Sequence, residues 1–151
     1  KDMRAVYAYP SICLLEGTIM SVGRGTDRPF TLVGHPDFPR REFFFVPNSM
    51  PGAKQPLYEG RNCYGFNLGQ LTPEFFKAEK KLQLHWLIDA YNEMKAQPFF
   101  NDFFNKLAGT GQLREQIAKG WTEERIRASW QPALQRFKEK RKLYFLYPDA
   151  L

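Results

Sequence analysis

The sequence predicts an α+β fold, with a small mixed β-sheet from the N-terminal half and helices from the C-terminal half packed on it. Three observations lead there. The chain changes character near residue 72. Before it lie most of the prolines and glycines, in short runs rich in β-branched and aromatic residues; after it lie long stretches of helical spacing. The composition is 43% hydrophobic and 25% charged, a globular mix. The length of 151 residues suits one domain over 1–151, able to bury roughly 70% of the surface its unfolded chain exposes.

In the first half, 10–15 reads as a short helical turn, because proline suits a helix start. Residues 19–22 read as an extended segment. Gly23-Arg24-Gly25-Thr26 must be a loop, since two glycines bracket one arginine. Strands follow over 30–33, 42–46 and 63–68, and 48–55, with Pro, Gly and Lys, is an exposed connection. In the second half, Leu84, Leu87, Ile88, Tyr91 and Met94 fall at helical spacing, so 80–95 is an amphipathic helix ended by Pro98. Phe99, Phe100, Phe103, Phe104 and Leu107 make a second apolar stripe, stopped by Gly109. Residues 112–119 give a short helix ending at Gly120. Thr122 caps the last long helix, with Glu123 and Glu124 suiting the dipole in its first turn. Its buried face is Ile126, Trp130, Leu134 and Phe137. Pro132 should kink it or start a new one, and 143–147 looks like a closing strand.

Several function classes drop out. No stretch approaches the ~20 apolar residues of a membrane span. Cys13 and Cys63 cannot make a disulfide framework, and no Cys/His spacing suggests zinc. The net charge of +6 favours anionic partners, but no aromatic strand or interleaved Lys/Arg-aromatic strip marks a nucleic-acid surface. The basic cluster Lys138, Lys140, Arg141 and Lys142 reads as a solvated helix end. Lys1-Asp2-Met3-Arg4 is neither an initiator methionine nor a signal peptide, so the chain reads as a fragment or a processed product, in which any targeting signal would be lost.

The densest chemistry lies in Leu14-Leu15-Glu16-Gly17-Thr18 and Ser21-Val22-Gly23-Arg24-Gly25-Thr26. Apolar company favours the protonated carboxyl that a general acid needs, which makes Glu16 a candidate. Arg24, on a glycine-flanked loop, can clamp a carboxylate or phosphate with two parallel hydrogen bonds. Equally, Glu16 and Arg24 can simply pair and pin the loop. The loop lacks the glycines and the Gly-Lys-Ser/Thr of a nucleotide site, and no Gly-x-Ser-x-Gly elbow occurs. His85 and Asp89, four apart on a helix, suit a surface or core pair better than a metal. His35, in Gly34-His35-Pro36-Asp37, lines a cleft or, more simply, holds a turn. Phe30, Phe38, Tyr58 and Tyr64 lie near these loops; one or two can stack on a sugar ring.

The run from Tyr9-Pro10-Ser11-Ile12-Cys13 through Glu16-Gly17-Thr18 and Gly23-Arg24-Gly25-Thr26 to Pro29-Phe30 resembles the signature of bacterial exo-β-N-acetylmuramidases of the NamZ type. The end agrees, from Gly120-Trp121 through Ile126, Trp130, Phe137 and Arg141 to Tyr144 and Tyr147. After Gly34, His35-Pro36-Asp37 departs from the small residue, Pro and aromatic usual in the family. The resemblance implies a periplasmic or secreted peptidoglycan glycosidase that removes terminal N-acetylmuramic acid from the non-reducing end of glycan fragments. It implies that this chain is the C-terminal domain, one wall of a cleft completed by a Rossmann-like N-terminal domain carrying a further carboxylate. Within that frame Glu16 is the candidate catalytic residue; Arg24, Thr18, Ser21, Thr26, His35 and Tyr64 are candidates for binding sugar; no cofactor or metal is implied. The rival reading is a non-catalytic carbohydrate-binding or interaction module.

Overall fold

The computed structural model describes residues 3–147. The chain opens with α1 (Met3–Ile12) and a 3-10 turn (Cys13–Gly17). Strands β1 (Leu32–His35), β2 (Phe44–Phe45) and β3 (Cys63–Asn67) form a sheet in the order β1-β3-β2. Five helices follow: α2 (Pro73–Glu79), α3 (His85–Met94), α4 (Phe104–Ala108), α5 (Gln112–Ala118) and α6 (Glu123–Arg141). After α1, the strands come first and the remaining helices follow, the predicted α+β layout with one helix added in front. The sheet is antiparallel throughout rather than mixed, with Leu32 opposite Asn67 and Phe44 opposite Tyr64. Each strand returns through a loop with no helical crossover, which a parallel neighbour would ordinarily need.

Two helices lie where the sequence reading placed little or nothing. α1 runs through Pro10, not from it. The missing proline N–H falls in the last turn, and Val6, four residues back, is exposed, so water can serve the freed carbonyl. α2 has a complete start signal: the Thr72 hydroxyl accepts the Phe75 N–H at 3.3 Å, Pro73 occupies the first turn, and Glu74 suits the dipole. Its end at Lys80 is left-handed, which separates it from α3, so the helix expected over 80–95 begins only at His85.

The main core gathers Ala8 and Ile12 of α1, Leu14, Leu15, Met20, Val33, Phe38, Leu84, Leu87, Ala90, Phe104, Ile117 and Ile126. A smaller cluster joins Leu32, Phe45 and Cys63, where burial pushes the Cys63 thiol up to about 12.

The C-terminal end differs most from expectation. α6 continues unbroken through Pro132. Only Ile126 of its expected buried face is fully enclosed; Trp130 is half-buried, Leu134 is exposed, and Phe137 is 59% exposed. The segment at 143–147 forms no strand: Lys142–Tyr144 is a 3-10 turn, and no described sheet edge pairs with residues 145–147.

Candidate active-site cleft

The segment from Glu16 to Arg24 is held by backbone contacts on both sides. The Ile19 N–H donates to the Phe99 carbonyl at 2.9 Å, and Ser21 exchanges two backbone bonds with Gly34 at 2.8 and 2.9 Å. The Asn101 amide reaches the carbonyls of Glu16 (3.3 Å) and Thr18 (3.5 Å). Gly23 and Gly25 have φ of +76° and +85°, a region costly for any residue with a Cβ, and so expose Arg24 between them. Thr26 closes this loop, its N–H and hydroxyl both donating to the Gly23 carbonyl.

This segment forms one side of a cleft of about 350 Å³. Glu16, Thr18, Ser21, Arg24 and Asn101 supply its polar groups; Ile19, Met20, Val22, Leu57 and Tyr58 supply an apolar wall. Arg24 Nε and Nη2 both donate to Glu16 Oε2, at 3.1 and 2.8 Å. The two charges therefore meet at the cleft, as the loop-pinning alternative required, and both remain reachable: Arg24 is 48% and Glu16 20% exposed. The Phe30 ring lies 4.8 Å from the guanidinium carbon and meets Tyr9 edge-on at 4.9 Å. The Glu16 carboxylate, and then partial burial, raise the Tyr9 phenol above its ordinary value.

Phe30 and Tyr58, both beside the site, are non-glycine residues with positive φ, +65° and +61°. Such conformations cost of order 1–3 kcal/mol and persist where the surroundings impose them. Here they turn Phe30 toward Arg24 and Tyr58 into the cleft wall, where the Tyr58 hydroxyl donates to the Ile19 carbonyl at 2.7 Å. Burial raises the Tyr58 phenol as well, so it stays a donor.

The predicted residues divide. Glu16, Thr18, Ser21 and Arg24 line the cleft. The Thr18 hydroxyl is already committed, donating to the Leu15 carbonyl and accepting the Met20 N–H; the Ser21 hydroxyl accepts the Gly23 N–H. Thr26 faces a neighbouring groove shared with Arg28, Asn48 and Phe44. His35 lies outside the lining, buried, its Nδ1 accepting the Asp37 N–H at 3.0 Å and its ring against Tyr58 at 4.8 Å. Burial lowers its affinity for a proton despite the nearby Asp37 carboxylate. Tyr64 sits in β3 between Phe44 and the Arg41 guanidinium, also outside the cleft. His85 approaches Glu123 at 3.7 Å, and the described residues hold no His/Cys/Asp/Glu cluster suited to a metal. Asn101 and Leu57 carried no local signal: one follows a phenylalanine pair, the other a proline-rich connection, and both reach the cleft only through tertiary packing.

Residues 7–147 match the family described as "Exo-beta-N-acetylmuramidase NamZ, C-terminal". The chain is 32% identical to the peptidoglycan β-N-acetylmuramidase NamZ of Bacillus subtilis, an alignment covering 96% of this chain and 38% of that protein. It is 44% identical to a DUF1343 family protein from Bacteroides fragilis whose crystal structure superposes with a TM-score of 0.91, over 98% of this chain and 42% of that one. The chain thus spans about two-fifths of the length of these relatives. A family match reaching from α1 past the end of α6, with the same fold in a relative of this identity, has one meaning: the chain belongs to the NamZ C-terminal domain family.

Proposed function

We propose that this domain is one wall of the substrate cleft of an exo-β-N-acetylmuramidase, which removes terminal N-acetylmuramic acid from the non-reducing end of peptidoglycan fragments outside the cytoplasm. The observation that carries the reading is the Glu16–Arg24 pair, set at the mouth of an apolar-walled cleft in a chain of this family. N-acetylmuramic acid carries a lactyl carboxylate, which an arginine fork reads with two parallel hydrogen bonds. The apolar wall of Ile19, Val22, Leu57 and Tyr58 suits the hydrophobic face of a sugar ring.

Glycoside cleavage ordinarily uses two carboxyl groups on either side of the bond. Among the described residues lining the cleft, Glu16 alone carries one, so it takes the acid/base role here. The second carboxyl belongs to a companion N-terminal domain that closes the cleft from the other side, in keeping with relatives more than twice as long.

The test compares the 151-residue chain with a two-domain relative on a chromogenic N-acetylmuramic acid glycoside. The chain alone should fold and leave the glycoside intact. Turnover comparable to the two-domain protein would show that this domain holds the whole catalytic apparatus, and a two-domain protein inert on the glycoside would refute the reaction class.

A further inference from the structure

We infer that Arg24 recognises its ligand by carboxylate exchange: the carboxylate of a sugar acid takes the place of Glu16 on the guanidinium and leaves the Glu16 carboxyl free inside the cleft. The inference rests on the function proposed above and concerns how the same two residues serve both recognition and reaction.

The geometry presents a conflict that exchange removes. Arg24 spends both Nε and Nη2 on a single oxygen, Glu16 Oε2. That edge of the guanidinium is one a ligand carboxylate would grip with two parallel bonds, and it is occupied. Glu16, for its part, cannot serve a glycosidic oxygen with Oε2 while that atom accepts two bonds from Arg24. A carboxylate arriving with the substrate resolves both at once. On Arg24 it replaces one anion with another, so the guanidinium keeps a carboxylate partner and two hydrogen bonds; Glu16 gives up its ion pair, and the exposure of that pair keeps the loss small. A neutral sugar has nothing to offer the guanidinium in return, so the pair stays closed.

The surroundings suit a change of partner without a change of place. The Phe30 ring holds the guanidinium from one side, and the loop carrying Arg24 is tied down by Thr26 and by the Asn48 N–H donating to the Gly25 carbonyl at 2.8 Å. Released Glu16 has a ready donor in Tyr9, whose phenol keeps its proton beside that carboxylate. Glu16 is therefore a specificity residue as well as a reacting one: it masks Arg24 until an anionic sugar arrives.

The test is a titration of the 151-residue chain and its Glu16→Gln variant with N-acetylmuramic acid and with N-acetylglucosamine, which lacks the lactyl group. An amide competes less well for the guanidinium, so Glu16→Gln should bind N-acetylmuramic acid about two- to fivefold more tightly, the worth of a half-exposed ion pair, with no matching gain for N-acetylglucosamine. Equal or weaker binding of N-acetylmuramic acid overturns exchange while leaving the carboxylate-reading role of Arg24 intact if the parent still prefers that sugar. Parent and variant binding the two sugars alike removes the reading and the exchange together; if the 151-residue chain binds neither sugar, the same titration of the two-domain protein decides, and binding there without preference for N-acetylmuramic acid has the same consequence. Should the variant not fold, NMR on the parent decides. The Arg24 Nε–Hε resonance and the Glu16 side-chain carboxyl carbon must shift along one isotherm with N-acetylmuramic acid; an Arg24 signal that moves while Glu16 stays put overturns exchange.

Discussion

Gly17 packs against Phe104 so closely that a β-carbon on Gly17 would stand 2.5 Å from the Phe104 α-carbon. The neighbour is backbone in a fully buried residue, so nothing can swing aside. The contact seats the start of α4 beneath the turn that carries Glu16. Gly17→Ala should destabilise the fold by about 1–3 kcal/mol, the range for overpacking a closed core, read by urea unfolding. An unchanged midpoint would show that α4 moves freely against this turn.

α6 offers a contrast within one helix. Ile126→Ala empties a fully enclosed site and should cost about 2–5 kcal/mol. Phe137→Ala, further along the helix and largely exposed, should change stability by no more than about 0.5 kcal/mol. Matching losses at the two positions would mean that the apolar spacing is buried along its whole length.

The spacing on α6 shows where sequence reading reaches its limit. Ile126, Trp130, Leu134 and Phe137 repeat as a core stripe does, and periodicity reports a shared face without reporting what covers it. Caps fared better, because they are local: Thr122 accepts the Arg125 N–H, and Gly109 and Gly120 turn left-handed at helix ends. The loop around Arg24 was legible for the same reason, glycine conformation being written in the residue itself. Its pairing with Glu16 stood as one alternative, and the structure brings it about. Asn101 and Leu57 were not legible, since their place in the cleft depends on the pairing of Ile19 with Phe99 and on the left-handed turn at Tyr58.

His35 gives the fold a pH dependence of definite sign. Burial, reinforced by Arg61 and opposed by Asp37, lowers its proton affinity below the ordinary histidine value of 6.5, and protonation would cost Nδ1 the bond it accepts from Asp37. The unfolded chain then binds more protons than the folded one, so stability is full above about pH 6.5 and declines as pH falls toward the lowered folded value. Melting temperatures across pH 5–8 should show this fall in the parent and a shallower one in His35→Asn.

Kinetics of the two-domain protein separate the roles in the cleft. Glu16→Gln should lower kcat by roughly 10²–10⁴-fold, the usual weight of general acid-base catalysis, with a melting shift no larger than loss of a partly exposed ion pair allows. Arg24→Lys should lose far more activity on an N-acetylmuramic acid glycoside than on its N-acetylglucosamine counterpart, because one ammonium cannot reproduce a fork. Equal losses on both glycosides would assign Arg24 to holding the loop.

Among the described residues, the contacts that hold helix α6 to the helices beside it gather in its first half. Ile126 is enclosed, Arg127 bonds to Glu123 and to the Leu82 carbonyl, and Gln116 reaches Ser129; beyond Pro132 the side chains are exposed as far as Lys140. The backbone amides of this one helix should therefore exchange with deuterium at two rates. Those from Ile126 up to the proline, each with an acceptor one turn back, should be protected nearly as well as α3. Those past the proline, whose missing N–H already interrupts the ladder, should open in local fraying without waiting for the domain to unfold.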